Sequence, residues 1–494
     1  NASSALSVNT FVVDTTAPTV DNVSSTDGNY FFGDNITIKV DFNENVIIDN
    51  SSGNPRIQLE TGRYFNGGSI VANDRYANYV SGNNTSVLSF LYTVQSEDNA
   101  SDLDYKATDS LSANGGTIRD NASNDANLTL ASPGTSNSLG LNNDIKVAKW
   151  MQEAYVKAVN RPNNNMDFGY DVTIYGDTMA VGAYMEKSKQ RTITNGSTAA
   201  SDDTAYNGAV YVYTRDNTSS WSQQAYIKPS NAQQTSSFFT YFGFTISLEN
   251  NTLAVGAQQD YSSQNTITNG SANASTDTSS AGSGAVFVYT RSGTNWSQQA
   301  YIKASNNNAG DQLGRSVALS GDTLVVGAHT EGSNQSSITN GTSSSTNNSN
   351  ATSGAVYVYT RSGTNWSQQA YIKASNNDAD DQFGQKVDID NDTIVVRAER
   401  EASNQTTITN GTGSSSDNSN QYSGAVYVYT RSGTDWSQQA YIKSSNNDAS
   451  DFFGASMSID GDTLAVGATG EASNQTSITN GSTSSDDNSA AYSG

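Results

Sequence analysis

The sequence holds one histidine and no cysteine. Any Ser-His-Asp triad would have to pass through His329, and thiolate nucleophiles, disulfides and thiolate zinc sites are excluded. His329 follows the apolar run Val325-Val326-Gly327-Ala328, at the end of a strand-like stretch. A general base must be held by partners, so a lone histidine there reads as incidental. Carboxylates are abundant. Asp378 and Asp381 precede Phe383, Asp448 and Asp451 precede Phe453, and Asp311 stands alone before Leu313. That spacing suits turn capping, with aspartate accepting nearby backbone N–H groups, better than a cation site. Nearer the N-terminus Asp98, Asp102 and Asp104 cluster, as do Asp120 and Asp125, while Asp14 stands apart. Oxygen-only ligands in an acidic chain are what calcium takes. The calcium set expected here is Asp14, Asp98, Asp102 and Asp104.

Asn-x-Ser/Thr sequons recur in register at Asn334 and Asn340, Asn404 and Asn410, Asn474 and Asn480, and Asn195 and Asn269 match the second position. They fall in long polar stretches of the kind that carry glycosylation. Paired carboxylates could support glycoside hydrolysis, but the turn "RSGTDW" at 431–436, which resembles the Asp box of propeller sialidases, lacks the aspartate before its glycine. No group of lone arginines for an acidic sugar stands out either, because most arginines of the C-terminal part recur in the phrase Tyr-Thr-Arg.

The elements that must position these residues are short strands. Hydrophobic residues make up 34% of the 494, and tyrosine (26) outnumbers phenylalanine (15). Mean hydropathy is −0.57. Asn, Ser, Thr and Gly dominate, which suits strands joined by polar turns. The net charge of −23 repels phosphate backbones, so nucleic acid is excluded as a partner. No apolar run reaches the 18 or so residues that span a membrane. The chain opens at Asn1 without a signal peptide, as a processed or excised piece would.

Tryptophan occurs only at 150, 221, 296, 366 and 436, at intervals of 70 to 75 residues. "YTRSGTNWSQQAYIKASNN" stands at 289–307 and again at 359–377, and recurs with two changes at 429–447. Each period holds four strand-like runs, for example 383–390, 392–398, 425–431 and 436–443, with a polar loop between the second and third. Four strands at a fixed period is the pattern of a propeller blade.

These residues resemble the FG-GAP repeat of integrin-α-type β-propellers. Phe-Gly stands at 168–169, 242–243, 383–384 and 453–454, with Leu313-Gly314 in the third unit. Val-Gly-Ala follows at 181–183, 255–257, 326–328 and 466–468, and in the fourth unit Arg397 replaces the glycine. The proline of the motif is absent. The Asp-rich calcium loop of many such blades is cut to Gly176-Asp177, Asn250-Asn251, Gly321-Asp322, Asn391-Asp392 and Gly461-Asp462, too short to wrap six to eight oxygens. The family's blade calcium is therefore not expected.

Residues 16–147 alternate as half-buried sheet does, with Ile36, Ile38, Val40 and Phe42 against polar neighbours. The phrases "VDTTAPTV", "GDNITIKVDFNENV" and "GGTIRDNASNDANLTL" resemble bacterial immunoglobulin-like modules that stand in tandem in large surface proteins. The resemblance implies that residues 1–15 are the last strand of a preceding module and its junction, that 16–147 form a β-sandwich ending in the strand 144–147, and that 148–494 form the propeller repeats. It also implies a junction stiffened by calcium.

The expected fold is all-β: a sandwich followed by at least five four-stranded blades. The repeats supply five first, second and fourth strands but only four third strands. The missing one would come from a longer parent chain, which is the reading preferred here, from residues 144–149, or from another subunit. The expected function is that of a non-enzymatic extracellular or cell-surface adhesive segment. Its partners would be a cell-surface protein, a glycan, or copies of itself, the last through strand donation in a filament or sheath. A glycan-active propeller enzyme is the remaining alternative.

Overall fold

The computed structural model describes residues 13–66, 69–72, 74–96, 98–147, 154–160, 166–201, 205–216, 220–235, 237–481, 484–485, 487–490 and 494. The expected strand of a preceding module and Trp150 lie outside these residues. The chain divides into two compact units, meeting at residues 153 and 154. Both are built from strands, apart from the single-turn helix Leu139–Asn142 in the first.

In the first unit an antiparallel sheet runs, in spatial order, Val20–Ser24, Asn35–Asp49, Thr85–Thr93, Arg75–Ser81, Arg56–Leu59 and Leu111–Ser112, with Thr117–Arg119 on the far end of the long strand. Alternation dictates its core. Ile36, Ile38 and Val40 are fully buried between exposed Asn35, Thr37 and Lys39. They pack with Leu88, Phe90 and Tyr92 of the neighbouring strand, whose register sets Ile38 opposite Phe90. Ile145–Val147 pairs in parallel with Gly28–Tyr30 of the same unit. This overturns the alternative in which 144–149 completes a propeller sheet.

Among its described residues the second unit holds four sheets of five strands and a fifth of two. In the fourth sheet the strands Phe383–Asp390, Thr393–Ala398, Ala425–Ser432 and Asp435–Ile442 fall where the sequence places them. One element per sheet was missed. The two-residue strand Thr409–Asn410, cut from the long polar loop, pairs with the outer strand, and its counterparts do the same in the other three. Of the expected fourth strand 150–157, the described residues 154–157 form no strand.

The apolar layers lie between sheets. Val356 and Val358 of the third sheet pack with Phe383, Val387, Ile394 and Tyr427 of the fourth, while Tyr357 and Tyr359 turn back toward the second. The Ala-Val-Tyr-Val-Tyr run is thus a strand buried on both faces, valine toward one neighbour and tyrosine toward the other. The innermost strands have free N–H groups, and polar side chains of the preceding sheet accept them. Asp171 accepts from Ile246 (2.7 Å), Ser316 from Val387 (3.0 Å) and Asp388 from Ile459 (3.2 Å). Satisfying an edge in this way costs less than burying it bare.

Candidate functional site

The repeat carboxylates do cap turns. Asp311 accepts the N–H of Asn308 (2.9 Å), Asp381 that of Asp378 (3.2 Å) and Asp451 that of Asp448 (2.8 Å). Asp311 and Asp381 are almost wholly buried. Burial, reinforced by Glu331 in one case and Glu401 in the other, pushes their pKa values up to about 7 and about 8. Between roughly pH 4 and 8 the folded chain then holds protons that the unfolded chain has released, so stability falls as pH rises through that window. The melting temperature of the repeat unit should be higher at pH 5 than at pH 8 by about 5 °C or more. A flat profile in a pH-resolved thermal melt would remove this account.

His329 is 8% exposed, and its Nδ1 has no hydrogen-bond partner among the described residues. Burial, then Arg315 and Arg400, push its pKa down to about 3. A base so weak, with no partner on its Nδ1, does not build a triad.

A buried ion pair, hardly visible in the sequence, recurs four times among the described residues. The lysine of Tyr-Ile-Lys meets a carboxylate from the start of the long loop, as Lys228–Glu186, Lys303–Asp260, Lys373–Glu331 and Lys443–Glu401. The serine of Ser-Gly joins it: Lys443 Nζ donates to Glu401 (2.7 Å), Ser423 Oγ (2.7 Å) and the Gly424 carbonyl (2.7 Å). The only signal was that the lysine sits beside an apolar pair at a fixed place in the period. The Tyr-Thr-Arg arginines are also structural. Arg361 donates to Asp322, to Thr252 (2.9 Å) and to Gln299 of the preceding sheet (3.3 Å), and Gln299 also takes the Trp366 indole N–H (2.9 Å).

The expected calcium residues separate. Asp98 is fully buried, paired with Arg75 (2.9 Å), and accepts from the Tyr92 hydroxyl and the Gln95 N–H. Asp104 accepts from the Tyr105 and Gly134 N–H groups (2.8 and 2.9 Å). Asp102 lies in the field of Asp104 and Asp144, which with burial raises its pKa. Asp14 instead meets Glu44 and Asp120, with one carboxylate oxygen from each within 4.8 Å of the others. Partial burial and the two neighbouring carboxylates raise Glu44. Three close hard oxygens suit calcium better than a softer metal. Glu44 was missed because it sits mid-strand, far in sequence from either partner.

The sequons also divide. Asn195, Asn269 and Asn340 lie in the short fifth strands, and each clasps the tryptophan backbone of the next sheet. Asn269 Oδ1 accepts the Trp366 N–H (2.8 Å) and its Nδ2 donates to the Trp366 carbonyl (3.0 Å), and Asn195–Trp296 and Asn340–Trp436 repeat this. Asn410 holds the corresponding strand position. Asn334, Asn404 and Asn474 are exposed in the loops, and so is Asn480.

The repeats converge at one place. The two residues after the Phe-Gly or Leu-Gly pair of the first four repeats, with Ala455 of the fifth, line a common cavity of about 300 Å³. The inner strands are therefore gathered about one axis. At this mouth the repeats stop repeating: the position after the glycine is Tyr170, Phe244, Arg315, Gln385 and Ala455 in turn. Tyr170 and Phe244 pack at 4.7 Å between ring centres.

Five sheets packed face to face, with inner strands gathered on an axis, define a propeller-like repeat protein. The FG-GAP repeat family model matches residues 296–359, 366–429 and 436–484, so FG-GAP repeats occupy this part of the chain. The sheets of Val172–Ile227 and Phe242–Ile302 share the same strand order. Repeats of this family commonly serve extracellular adhesion or binding and are typically non-enzymatic. No curated protein matches the sequence. No helix among the described residues is long and apolar enough to cross a membrane.

Proposed function

We propose that this chain is a non-enzymatic segment of an extracellular or cell-surface adhesive protein, with an immunoglobulin-like spacer before a propeller that binds. The observation that carries this reading is the axial mouth, where five otherwise repetitive units contribute five different side chains. Uniform framework with divergent lining is how a repeat scaffold presents a ligand surface. The described lining holds a single carboxylate, Asp171, whereas glycoside hydrolysis uses two. Binding of the intact chain to arrays of surface proteins and glycans tests this; an array without a reproducible ligand, or turnover in a glycoside screen, would count against it.

Calcium belongs to the same reading, at Asp14, Glu44 and Asp120 rather than at Asp98. Calcium in excess should raise the melting temperature of the first unit by a few °C, and Glu44→Gln should abolish that rise; a rise that survives the substitution places the ion elsewhere. Glycans are proposed first for exposed Asn334, Asn404 and Asn474, since the other register includes the tryptophan clasps. Site-resolved mass spectrometry finding sugar on Asn269 in place of Asn334 would reverse that order.

Assembly by strand addition is a second reading, favoured by one observation. Along the strand Thr463–Ala468 runs a groove of about 820 Å³ whose apolar lining includes Ile408, Ile442, Phe453, Leu464 and Val466. In the third sheet the equivalent strand is covered antiparallel, with Val326 opposite Tyr357 and Leu324 opposite Tyr359. The occupant is accordingly an antiparallel strand of alternating valine and tyrosine. A peptide Gly-Ala-Val-Tyr-Val-Tyr-Thr-Arg-Ser should bind more tightly than its scrambled form, and equal binding would dismiss the idea.

A further inference from the structure

The glycine before the alanine in each second strand touches the next sheet. At Gly182, Gly256 and Gly327 a Cβ would overlap the carbonyl of the following sheet's Phe-Gly or Leu-Gly glycine: Gly243, Gly314 and Gly384 in turn. In the fourth sheet that place is taken by Arg397, whose Cγ stands 3.1 Å from where a Cβ on Gly454 would lie. The fourth repeat thus gives up a packing contact that three others keep. A local rule broken without a visible gain in packing marks a functional position.

What the arginine gains is access to the axial mouth. Arg397 is 8% exposed and lines the cavity. One terminal nitrogen donates to Gln385 (2.7 Å), the other lies 3.4 Å from Glu399, and Nε is buried with no partner among the described residues. Arg315 stands over the ring of Phe244 at 4.8 Å and adds a second guanidinium, and exposed Lys386 a third cation. Burial, offset in part by Glu399 and reinforced by Arg315, disfavours the charge on Arg397. Within the lining the only carboxylate is Asp171, which already accepts the Ile246 N–H. Three cations gathered in one small cavity are exceptional in a chain of net charge −23.

We propose that the axial mouth binds a carboxylate- or sulfate-bearing sugar, with Arg397, Arg315 and Lys386 holding the anionic group. Guanidinium forks match both oxyanions in geometry, and the buried Nε of Arg397 has no acceptor among the described residues. The exposed Tyr170 ring offers an apolar face for a pyranose, and Gln385, Thr245 and Ser316 supply partners for hydroxyls. A cavity of this size admits one or two sugar rings. The inference rests on the binding role proposed above and narrows it to a ligand class.

The test is calorimetric titration of the intact chain with tri-galacturonate, with a sulfated heparin disaccharide, and with neutral galactotriose. The acidic sugars should bind, the neutral one should not, and added salt should weaken binding. The first two probes tell carboxylate from sulfate preference. Arg397→Gly and Lys386→Gln should each cost about tenfold in affinity, since a lost charged contact is worth about 1.4 kcal/mol or more. Arg397→Gly restores the residue the other repeats carry, so its melting temperature should hold or rise, and Lys386→Gln alters only an exposed side chain. Equal affinity for acidic and neutral sugars, or unchanged binding by both variants, overturns the inference. If the array finds a ligand while the acidic sugars fail, the binding role stands and only this assignment falls.

Discussion

Lys373→Ala should lower the stability of the repeat unit by about 3–5 kcal/mol, the cost of leaving a buried charge without its partner. The Lys373 and Glu331 side chains have no exposed surface, and Nζ lies 2.9 Å from Glu331 Oε2 and 2.9 Å from Ser353 Oγ. Glu331 is held in turn by the Ser333 N–H (3.1 Å) and the Asn306 amide (3.0 Å). Truncating the lysine strands the carboxylate among these groups. Burial pushes the Lys373 pKa down while Glu331 pulls it back, which is the balance expected of an ion kept charged only by its partner. The double variant Lys373→Met, Glu331→Leu should recover much of the loss, because no charge is then left buried. Denaturant unfolding of both variants decides the matter: a single variant within about 1 kcal/mol of the parent would mean that water reaches the site.

Gly327→Ala should be comparably severe, at or above about 4 kcal/mol. A Cβ there overlaps the Gly384 carbonyl, a backbone atom of the next sheet that cannot swing aside as a side chain can. Relief requires the third and fourth sheets to part, and the layer between them holds Val356, Val358, Phe383 and Val387. The lost contacts are thus apolar and numerous, and they add to the clash itself. The expected observation is a large drop in melting temperature with new protease cleavage between these sheets. An alanine variant melting within a few °C of the parent would show that the sheets can give at that seam, as the one before Gly454 does for Arg397.

Much of the propeller was readable because its signals are local and repeated. Tryptophan spacing, the four strand-like runs of each period and the two-residue turns fix strand length, order and period, since tight turns admit few residue types. The first unit was legible for the same reason where it alternates, as at Ile36–Phe42. The fifth strand of each sheet escaped notice because a two-residue strand has no periodicity of its own. It exists only because an outer strand lies beside it.

The candidate site was hardly legible. Arginines in the repeated Tyr-Thr-Arg phrase are structural, and they outnumber Arg315 and Arg397, which repeat nowhere. Arg397 was noted as a departure from the glycine pattern, without a sign of where it would point. Of the acidic residues taken together by nearness in sequence, Asp98 and Asp104 bind separate partners, and Asp14 finds Glu44 and Asp120 instead. Strand neighbours in sequence face opposite sides of a sheet, while carboxylates that meet come from different strands.

The sequence by itself determined an all-β chain, a period near 70 residues, four main strands to a complete repeat, and the exclusion of thiol chemistry. These follow from composition and spacing, which no tertiary contact can change. Only the tertiary structure decided which lysine meets which carboxylate, which asparagines clasp a neighbouring sheet, and that five unlike side chains share one axis. The lysine–carboxylate pairs are 42 or 43 positions apart and the asparagine clasps 96 to 101, and their proximity is created when apolar sheet faces stack, not by any pattern along the chain.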